Sequence, residues 1–262
     1  EVQYDEPSEI SLAPFAEMST KTAVDGTDYP DGLNMYVFAN AGVPDAAVPA
    51  GYTEPYFANA EFAHGSHDDN VFGGYPDPYY WPNVKKLIFS GYSKSGNVAS
   101  LTTKPTYTYN QTANTWEINI NGYTPGAGTV TPGDNDLMWF PTTDTSYGKP
   151  TEDSFTVDVT MKHACAWVTI KIKGDAITGK TGTSWKILDL TFADLVQTGN
   201  VVLGKNAKWT TTTGTSFDAY TGDGTALTTE LVDYTQLSYK DLVVIPQTTK
   251  TLHIKYSYVS QK

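Results

Sequence analysis

The sequence predicts an all-β protein, and three observations support this prediction. Aromatic residues form 13% of the 262 residues, with 18 Tyr and 6 Trp, and aromatic and β-branched side chains favour strands. Short apolar stretches are separated by turns rich in Thr, Gly and Pro, at the spacing expected of a β-sandwich. These stretches alternate with a period of two and show no helical periodicity of useful length.

The first half of the chain predicts a series of short strands. The first lies within residues 8–15, SEISLAPF, where Ile10 and Leu12 share one face. The stretch at residues 64–83 is rich in turns, because each Pro fixes φ and each Gly permits a positive φ. Further strands are predicted at residues 33–40, 54–62, 85–93, 106–110, 115–122 and 136–142.

The apolar alternation changes phase between residues 155 and 172. Apolar residues occupy odd positions up to Met161 and even positions from Ala164 to Ile172. A bulge or corner near Lys162 and His163 moves the apolar set by one residue without reversing the faces. This geometry places Cys165 on the face opposite the aliphatic core.

The second half predicts further strands and a second domain. Residues 184–195 are predicted as a strand, because Leu188, Leu190 and Phe192 alternate with polar residues. A clean alternation at residues 252–258 predicts the last strand. The chain has room for two domains, and we predict β-sandwiches at residues 1–194 and 195–262, with a boundary near Pro150 as the alternative. The C-terminal unit is small and is expected to lack or borrow a closing strand.

Composition excludes several classes of partner. The formal net charge is −12, and all 17 basic residues are Lys, since the sequence contains no Arg. Nucleic-acid binding is not expected, because it needs a clustered basic face and the bidentate fork of Arg. The one cysteine cannot form an internal disulfide. No apolar run approaches the length of about 18 residues that a membrane-spanning helix requires.

The sequence contains no convincing catalytic constellation. His163 and Cys165 lie two residues apart, which places their side chains about 7 Å apart on a continuous strand, too far for direct proton transfer. No G-x-S-x-G, phosphate loop or dinucleotide motif occurs. We therefore predict that the protein is not an enzyme.

Two local clusters suggest binding rather than catalysis. His64 and His67 have H-x-x-H spacing and neighbouring carboxylates, but they lack helical context and no third ligand cluster is present. We therefore predict that the protein binds no metal and no cofactor. If a metal were bound, His64 and His67 would be the candidate ligands. Tyr79, Tyr80 and Trp81 lie in the stretch YPDPYYWP and are candidates for stacking on a glycan. The alternative is that the same three side chains close one end of a sandwich.

Several segments occur in a recognisable order. They are SEISLAPF, STKTA, YYWPNVKKLIFSGYS, DLMWF, VDVTMKHACAWVTIKI, ILDLTFADLVQTGNVV and LVVIPQTTKTLHIKYSYV. With YYWP before a K-L-x-F strand and V-I-P-Q before another strand, the chain resembles the fimbrillin-like superfamily of Bacteroidales, the subunits and relatives of the major and minor fimbriae. The resemblance spans nearly the whole chain.

The resemblance implies an exported lipoprotein of the outer membrane surface or of a fimbrium, built from two tandem transthyretin-like sandwiches with an Ig-like Greek key. In polymerising members, a protease removes the N-terminal strand and a strand of the next subunit fills the groove. Here that strand would lie within residues 8–15, with Ile10 and Leu12 in its pockets. Lys21 is the candidate processing site, because no Arg is available for arginine-directed cleavage. The lipid-bearing cysteine is expected only in the precursor.

These observations together predict a non-catalytic fimbrial subunit or fimbria-associated adhesin. Its predicted partners are other fimbrial subunits, bound by strand addition, and host or bacterial surface glycans or proteins. The alternative is a monomeric surface lipoprotein that binds glycans through exposed aromatic side chains.

Overall fold

The computed structural model describes most of the chain as strands and their connections. None of the described residues forms an α-helix, which confirms the all-β prediction. No segment of the described chain is a candidate for a helical membrane span. The described residues are 7–16, 29, 32–64, 70–94, 101, 103–125, 136–151, 155–168, 170–174, 181–211, 213–227, 232–233, 242–248 and 250–261.

The strands follow the predicted pattern of alternation closely. In the first half they are β1 (Ser11–Ala16), β2 (Met35–Gly42), β3 (Glu54–Ala63), β4 (Phe72–Gly74), β5 (Lys86–Lys94), β6 (Thr106–Asn110), β7 (Thr115–Tyr123) and β8 (Leu137–Phe140). In the second half they are β9 (Val157–His163), β10 (Ala166–Val168), β11 (Lys171–Ile172), β12 (Thr181–Leu195), β13 (Gly199–Leu203), β14 (Ala207–Thr211), β15 (Thr215–Leu227), β16 (Val232–Asp233), β17 (Leu242–Val244) and β18 (Leu252–Gln261). The long strand β12 confirms the strand predicted at residues 184–195.

Seven strands form a closed sheet in the order β1-β4-β3-β2-β5-β8-β9. The sheet encloses the largest group of buried apolar side chains, which includes Ile10, Leu12, Phe62, Phe72 and Phe89. Closure removes the exposed edges that an open sheet would leave unpaired. The first strand of the chain is therefore a structural member of the closed sheet.

A separate sheet of four strands, β14-β13-β7-β6, packs beside the closed sheet. Strand β8 contributes to both layers, since Met138 and Phe140 belong to the first core while Leu137 and Trp139 belong to a second one. The Trp139 indole Nε1 donates a hydrogen bond to the Gly204 carbonyl at 3.1 Å. A strand buried on both faces in this way joins two apolar cores.

The phase change after Met161 is a corner between sheets, as predicted. Strand β9 ends at His163, and the Ala164 N–H donates a hydrogen bond of 2.7 Å to the Leu137 carbonyl. From Ala166 the chain pairs with β17 and its apolar residues pack into a third core. The apolar parity changes because the chain leaves one core and enters another.

The predicted face of Cys165 is wrong. Cys165 is half-buried and packs against the second core, together with the neighbouring Ala164. At a corner the backbone does not alternate as a continuous strand does, so the side chain turns inward.

The third core lies in the C-terminal half of the chain. Strand β12 is central in the sheet β15-β12-β18, and Ile187 and Leu190 are buried against residues of β10 and β17. Strand β13, which also follows residue 194, pairs instead with β7 of the first half, and β14 pairs with the other edge of β13. The division into tandem sandwiches at residues 1–194 and 195–262 stays a prediction.

Candidate functional site

Strand β1 closes the seven-stranded sheet by pairing with two strands that are distant in sequence. It runs parallel to β9 from the pair Leu12 and Val157 to the pair Ala16 and Met161, and antiparallel to β4. No hairpin joins β1 to either neighbour. Its position therefore depends on side-chain packing and on strand pairing, and not on a short connection.

Alternate side chains of β1 and the residue before it point into the core. Ile10 and Leu12 are fully buried, whereas Phe15 is 44% exposed. This alternation agrees with the pattern predicted from the sequence. Burying two such side chains stabilises the folded state by about 1.5–3 kcal/mol each, which anchors the strand in the sheet.

The segment Tyr79 to Trp81 holds the beginning of this strand in place. The Ile10 N–H donates to the Tyr79 carbonyl at 2.7 Å, and the Trp81 N–H donates to the Ser8 carbonyl at 3.0 Å. The Trp81 indole Nε1 adds a hydrogen bond of 3.1 Å to the Glu9 carbonyl. The YYWP stretch therefore forms a clamp on the N-terminal strand, a role that the sequence did not indicate.

The exposure that glycan stacking requires is absent at Trp81. Its side chain is only 4% exposed, with its ring edge-on to Phe89 at a centroid distance of 5.9 Å. Tyr79 is partly buried and packs on Phe57 at 4.6 Å. The expectation of an exposed Trp81 is wrong because the indole fills the core beneath β1.

Exposed aromatic rings do occur near this clamp, on different residues. Tyr80 is 42% exposed and Tyr75 is 57% exposed. Tyr56 is also exposed, and its hydroxyl donates a hydrogen bond of 2.6 Å to the Tyr80 carbonyl. Tyr80 thus keeps the exposure that the glycan hypothesis needs. Tyr75 opens the same YPDPYYWP stretch but was not among the residues named as candidates, and Tyr56 was missed because an isolated tyrosine carries no sequence signal of exposure.

His163 contacts a carboxylate and not the thiol of Cys165. Its Nδ1 forms a short hydrogen bond with Oδ2 of Asp136, and both side chains are buried. Burial raises the pKa of the Asp136 carboxyl, and the contact with His163 opposes this shift. Burial also raises the pKa of the Cys165 thiol well above its usual value, which disfavours the reactive thiolate at neutral pH.

The remaining sequence candidates are only partly described. Lys21 and His67 lie outside the described residues. The His64 ring packs edge-on against Phe72 at 5.7 Å, and its Nε2 is buried without a hydrogen-bond partner in the described part. Among the described residues, no group of three or more His, Cys, Asp or Glu side chains could hold a metal ion.

These features define a class of all-β protein whose main sheet is closed by its own N-terminal strand. The family model described as fimbrillin-like matches residues 20–262. The chain therefore belongs to the fimbrillin-like family, as the sequence resemblance predicted.

One of the similar solved structures, from Bacteroides vulgatus, shares the fold. A fimbrial protein from Bacteroides vulgatus is similar with a TM-score of 0.54 and 16% identity, over 96% of this chain and 84% of that one. A putative cell adhesion protein from Bacteroides ovatus has a TM-score of 0.47 and 12% identity, over 97% of this chain and 86% of that one. No match was found among curated proteins.

Proposed function

We propose that the chain is a non-catalytic subunit of a bacterial surface fimbria, or a fimbria-associated adhesin, which assembles when a strand of another subunit replaces β1. The observation that carries this proposal is the position of β1. It closes the sheet and buries Ile10 and Leu12, yet its partners β4 and β9 are remote in sequence. Removal of β1 would leave the other six strands of the closed sheet connected to one another.

The groove left by β1 would favour another strand of the same pattern. It would expose the edge of β9 and two deep apolar pockets, which is costly in water. An incoming strand restores the backbone hydrogen bonds, and its alternate apolar side chains fill the pockets. Membership in the fimbrillin-like family supports this mode of assembly.

Strand β18 is the described strand that best fits the role of donor. It lies at the edge of its sheet, and Leu252 and Ile254 repeat the two-residue spacing of Ile10 and Leu12. Ile254 is 44% exposed, so β18 buries little apolar surface where it lies. An edge strand with an exposed face loses fewer hydrogen bonds and less buried apolar area when it detaches than a central strand does.

Surface location follows from the same proposal. We propose export to the outer membrane surface or into a fimbrium, with a lipid anchor carried by the precursor. Family membership supports this location, and the precursor's N-terminal residues test it, since a lipid-acceptor cysteine after a signal peptide would be found there.

Limited proteolysis tests the role of β1. Purified protein is treated with trypsin, the cleavage sites are read by mass spectrometry, and the particle size is followed by light scattering. We expect cleavage at Lys21 to be followed by polymer growth, and we expect a Lys21→Gln variant to remain monomeric under the same treatment. A product that is cleaved at Lys21, has lost β1 and stays monomeric would refute strand exchange.

Two matched variants test β18 as the donor. Ile254→Lys places a charge where an apolar side chain must enter a pocket, so polymer growth should stop. His253→Lys places the same charge on the opposite face of β18, which is also exposed, and should leave growth unchanged. Equal growth of both variants would exclude β18 as donor without affecting the proposed release of β1.

A glycan-binding surface protein is the second candidate function. The observation that favours it is the group of exposed rings of Tyr56, Tyr75 and Tyr80, because flat rings stack on pyranose faces. Glycan-array binding that is lost in Tyr80→Ala would support this function.

A further inference from the structure

A polar cleft lies at the junction of the closed sheet and the four-stranded sheet. Its volume is about 310 Å³, which is at the lower end of the range for small-molecule sites. It is lined by the segment after β8 and by the turns before β7 and after β13, among them Asn114, Thr115, Thr142, Lys162 and Lys205. These residues are far apart in sequence, and only the fold brings them together.

The wall of the cleft is held rigidly by hydrogen bonds. Oγ1 of Thr142 accepts a hydrogen bond from the Trp116 N–H at 3.3 Å and contacts the Ser90 hydroxyl at 3.0 Å. The Thr143 N–H donates to the Phe89 carbonyl at 2.9 Å, and Oγ1 of Thr143 accepts from the Phe89 N–H at 3.2 Å. A binding site with its walls fixed in advance loses less conformational entropy when it takes a ligand.

Two lysines converge on this cleft without a carboxylate partner. Lys162 is half-buried on the outward side of β9, and Lys205 is exposed in the turn between β13 and β14. Within the described part of the chain, neither amine lies within ion-pair distance of a carboxylate. In a protein with a net charge of −12, two amines in one concavity form a local positive field that favours an anion.

The charge of the cleft limits the anion that it fits. Asp144 is the one carboxylate among the residues that line it, so two amines and one carboxylate leave a formal charge of +1. A monoanion such as a carboxylate neutralises this charge, whereas a dianionic phosphate would leave the cleft with a net negative charge. Lysine is a point charge and does not require the planar fork geometry that Arg provides.

A second cavity of about 310 Å³ adjoins the first and has the opposite charge character. The two share the segment Pro141 to Asp144 and the side chain of Lys162. The second cavity adds Asp158, Thr160 and Tyr147. Carboxylates accept hydrogen bonds from sugar hydroxyls, and the ring of Tyr147 offers an apolar surface.

We propose that the joined cavities bind an acidic saccharide, with the carboxylate of a uronic-acid or similar unit between Lys162 and Lys205 and a neutral unit beside Asp158 and Tyr147. The negative carboxylate then lies beside the two amines, and the hydroxyl groups of the neutral sugar lie beside a hydrogen-bond acceptor and an aromatic ring. This site does not include the exposed tyrosines. Asp158 and Thr160, however, lie on β9 directly opposite Ala13 and Phe15 of β1, so binding is tested on the full chain with β1 in place.

Titration with D-glucuronate tests the site, with D-glucose and acetate as matched probes. Amide chemical shifts are followed by NMR on the full chain, and variants are checked for unchanged thermal unfolding. We expect saturable shifts at cleft residues with glucuronate, weaker binding at higher salt, and weaker binding of glucose and of acetate. The double variant Lys162→Gln/Lys205→Gln should weaken binding about tenfold or more, because it removes both positive charges that would face the carboxylate.

The control is Lys208→Gln, which makes the same charge change at an exposed position of β14 outside the cleft. Binding to this variant should match the unaltered chain. The proposal is overturned if glucuronate gives no saturable shifts, or if the double variant and the control bind equally. Acetate binding as tight as glucuronate would also overturn it, because the site would then recognise a carboxylate and not a saccharide.

Discussion

Asp136 and His163 form the most unusual residue-scale feature of the molecule. Both side chains are buried, and Oδ1 of Asp136 and Nε2 of His163 lack hydrogen-bond partners within the described residues. The one hydrogen bond between the two side chains, from Nδ1 of His163 to Oδ2 of Asp136, is therefore important for stability. An unsatisfied buried polar group costs about 1–3 kcal/mol. The pair stabilises the corner at the end of β9 and provides no nucleophile.

Substitution of Asp136 tests this structural role. Asp136→Ala leaves the buried imidazole of His163 without its partner and should lower the free energy of unfolding by about 1–3 kcal/mol at neutral pH. Asp136→Asn keeps a hydrogen-bonding group without the charge and should cost less. Denaturant unfolding measures both values, and equal losses in the two variants would contradict the assigned role.

The pH dependence of the same pair has a definite sign. Burial raises the pKa of the Asp136 carboxyl above 3.8, so the folded state binds this proton more tightly than the unfolded state. The corresponding stability is present below pH 3.8 and is lost as the pH rises through the folded pKa. The free energy of unfolding of the unaltered chain should therefore fall relative to that of Asp136→Asn over that range, and parallel pH profiles of the two proteins would contradict the assigned shift.

At the scale of elements, β1 is tightly packed but has no short loop to either of the strands with which it pairs. Leu12 and the preceding Ile10 are buried as deeply as any side chain in the core, but the ladders of β1 with β4 and β9 join it to strands far along the chain. Strands held in this way can exchange with an equivalent strand without unfolding the rest of the sheet. The hydrogen bonds from Trp81 to the carbonyls of Ser8 and Glu9 add to the contacts that hold β1 in the sheet.

Truncation of Leu12 measures how firmly packing holds β1. Leu12→Ala removes a fully buried side chain and should destabilise the fold by about 2–5 kcal/mol. Phe15→Ala, on the exposed side of the same strand, should cost much less. If hydrogen exchange shows β1 amides equally protected in both variants, the packing of Leu12 does not hold the strand.

At the scale of the whole molecule, buried tyrosines occur in both cores of the N-terminal half, Tyr29 in the first and Tyr92 and Tyr107 in the second. Burial raises the pKa of Tyr29, Tyr92 and Tyr107 well above 10.0. These rings belong to both the closed sheet and the layer beside it. Their ionisation is therefore linked to unfolding of the N-terminal half as a unit.

Alkaline unfolding should reflect this linkage. A tyrosine whose pKa is higher in the folded than in the unfolded state contributes stability that is complete below pH 10.0 and is lost as the pH rises. Each such tyrosine lowers the free energy of unfolding by about 1.4 kcal/mol for every pH unit above the pKa that it has in the unfolded state and below the pKa that it has in the folded state. The part of the tyrosinate absorbance that is lost in the variants Tyr29→Phe, Tyr92→Phe and Tyr107→Phe should therefore appear together with the loss of circular dichroism. Its appearance well before the loss of structure would contradict the linkage.

The sequence by itself determined the features that depend on local pattern. A period of two predicts strands wherever side chains alternate between core and solvent, and the phase change after Met161 predicted the corner at the end of β9. Charge composition and the order of motifs can likewise be read without knowing which strands pair with each other. The all-β class and the fimbrillin-like family could be predicted for this reason.

Only the tertiary structure decided which distant segments meet. Neither the parallel pairing of β1 with β9 nor the hydrogen bond between His163 and Asp136 has a local signal. Trp81 and Tyr80 are adjacent in an identical aromatic context, yet one is buried and the other exposed. Long-range strand pairing and side-chain packing make these choices, because they depend on which surfaces the whole chain can bury at once.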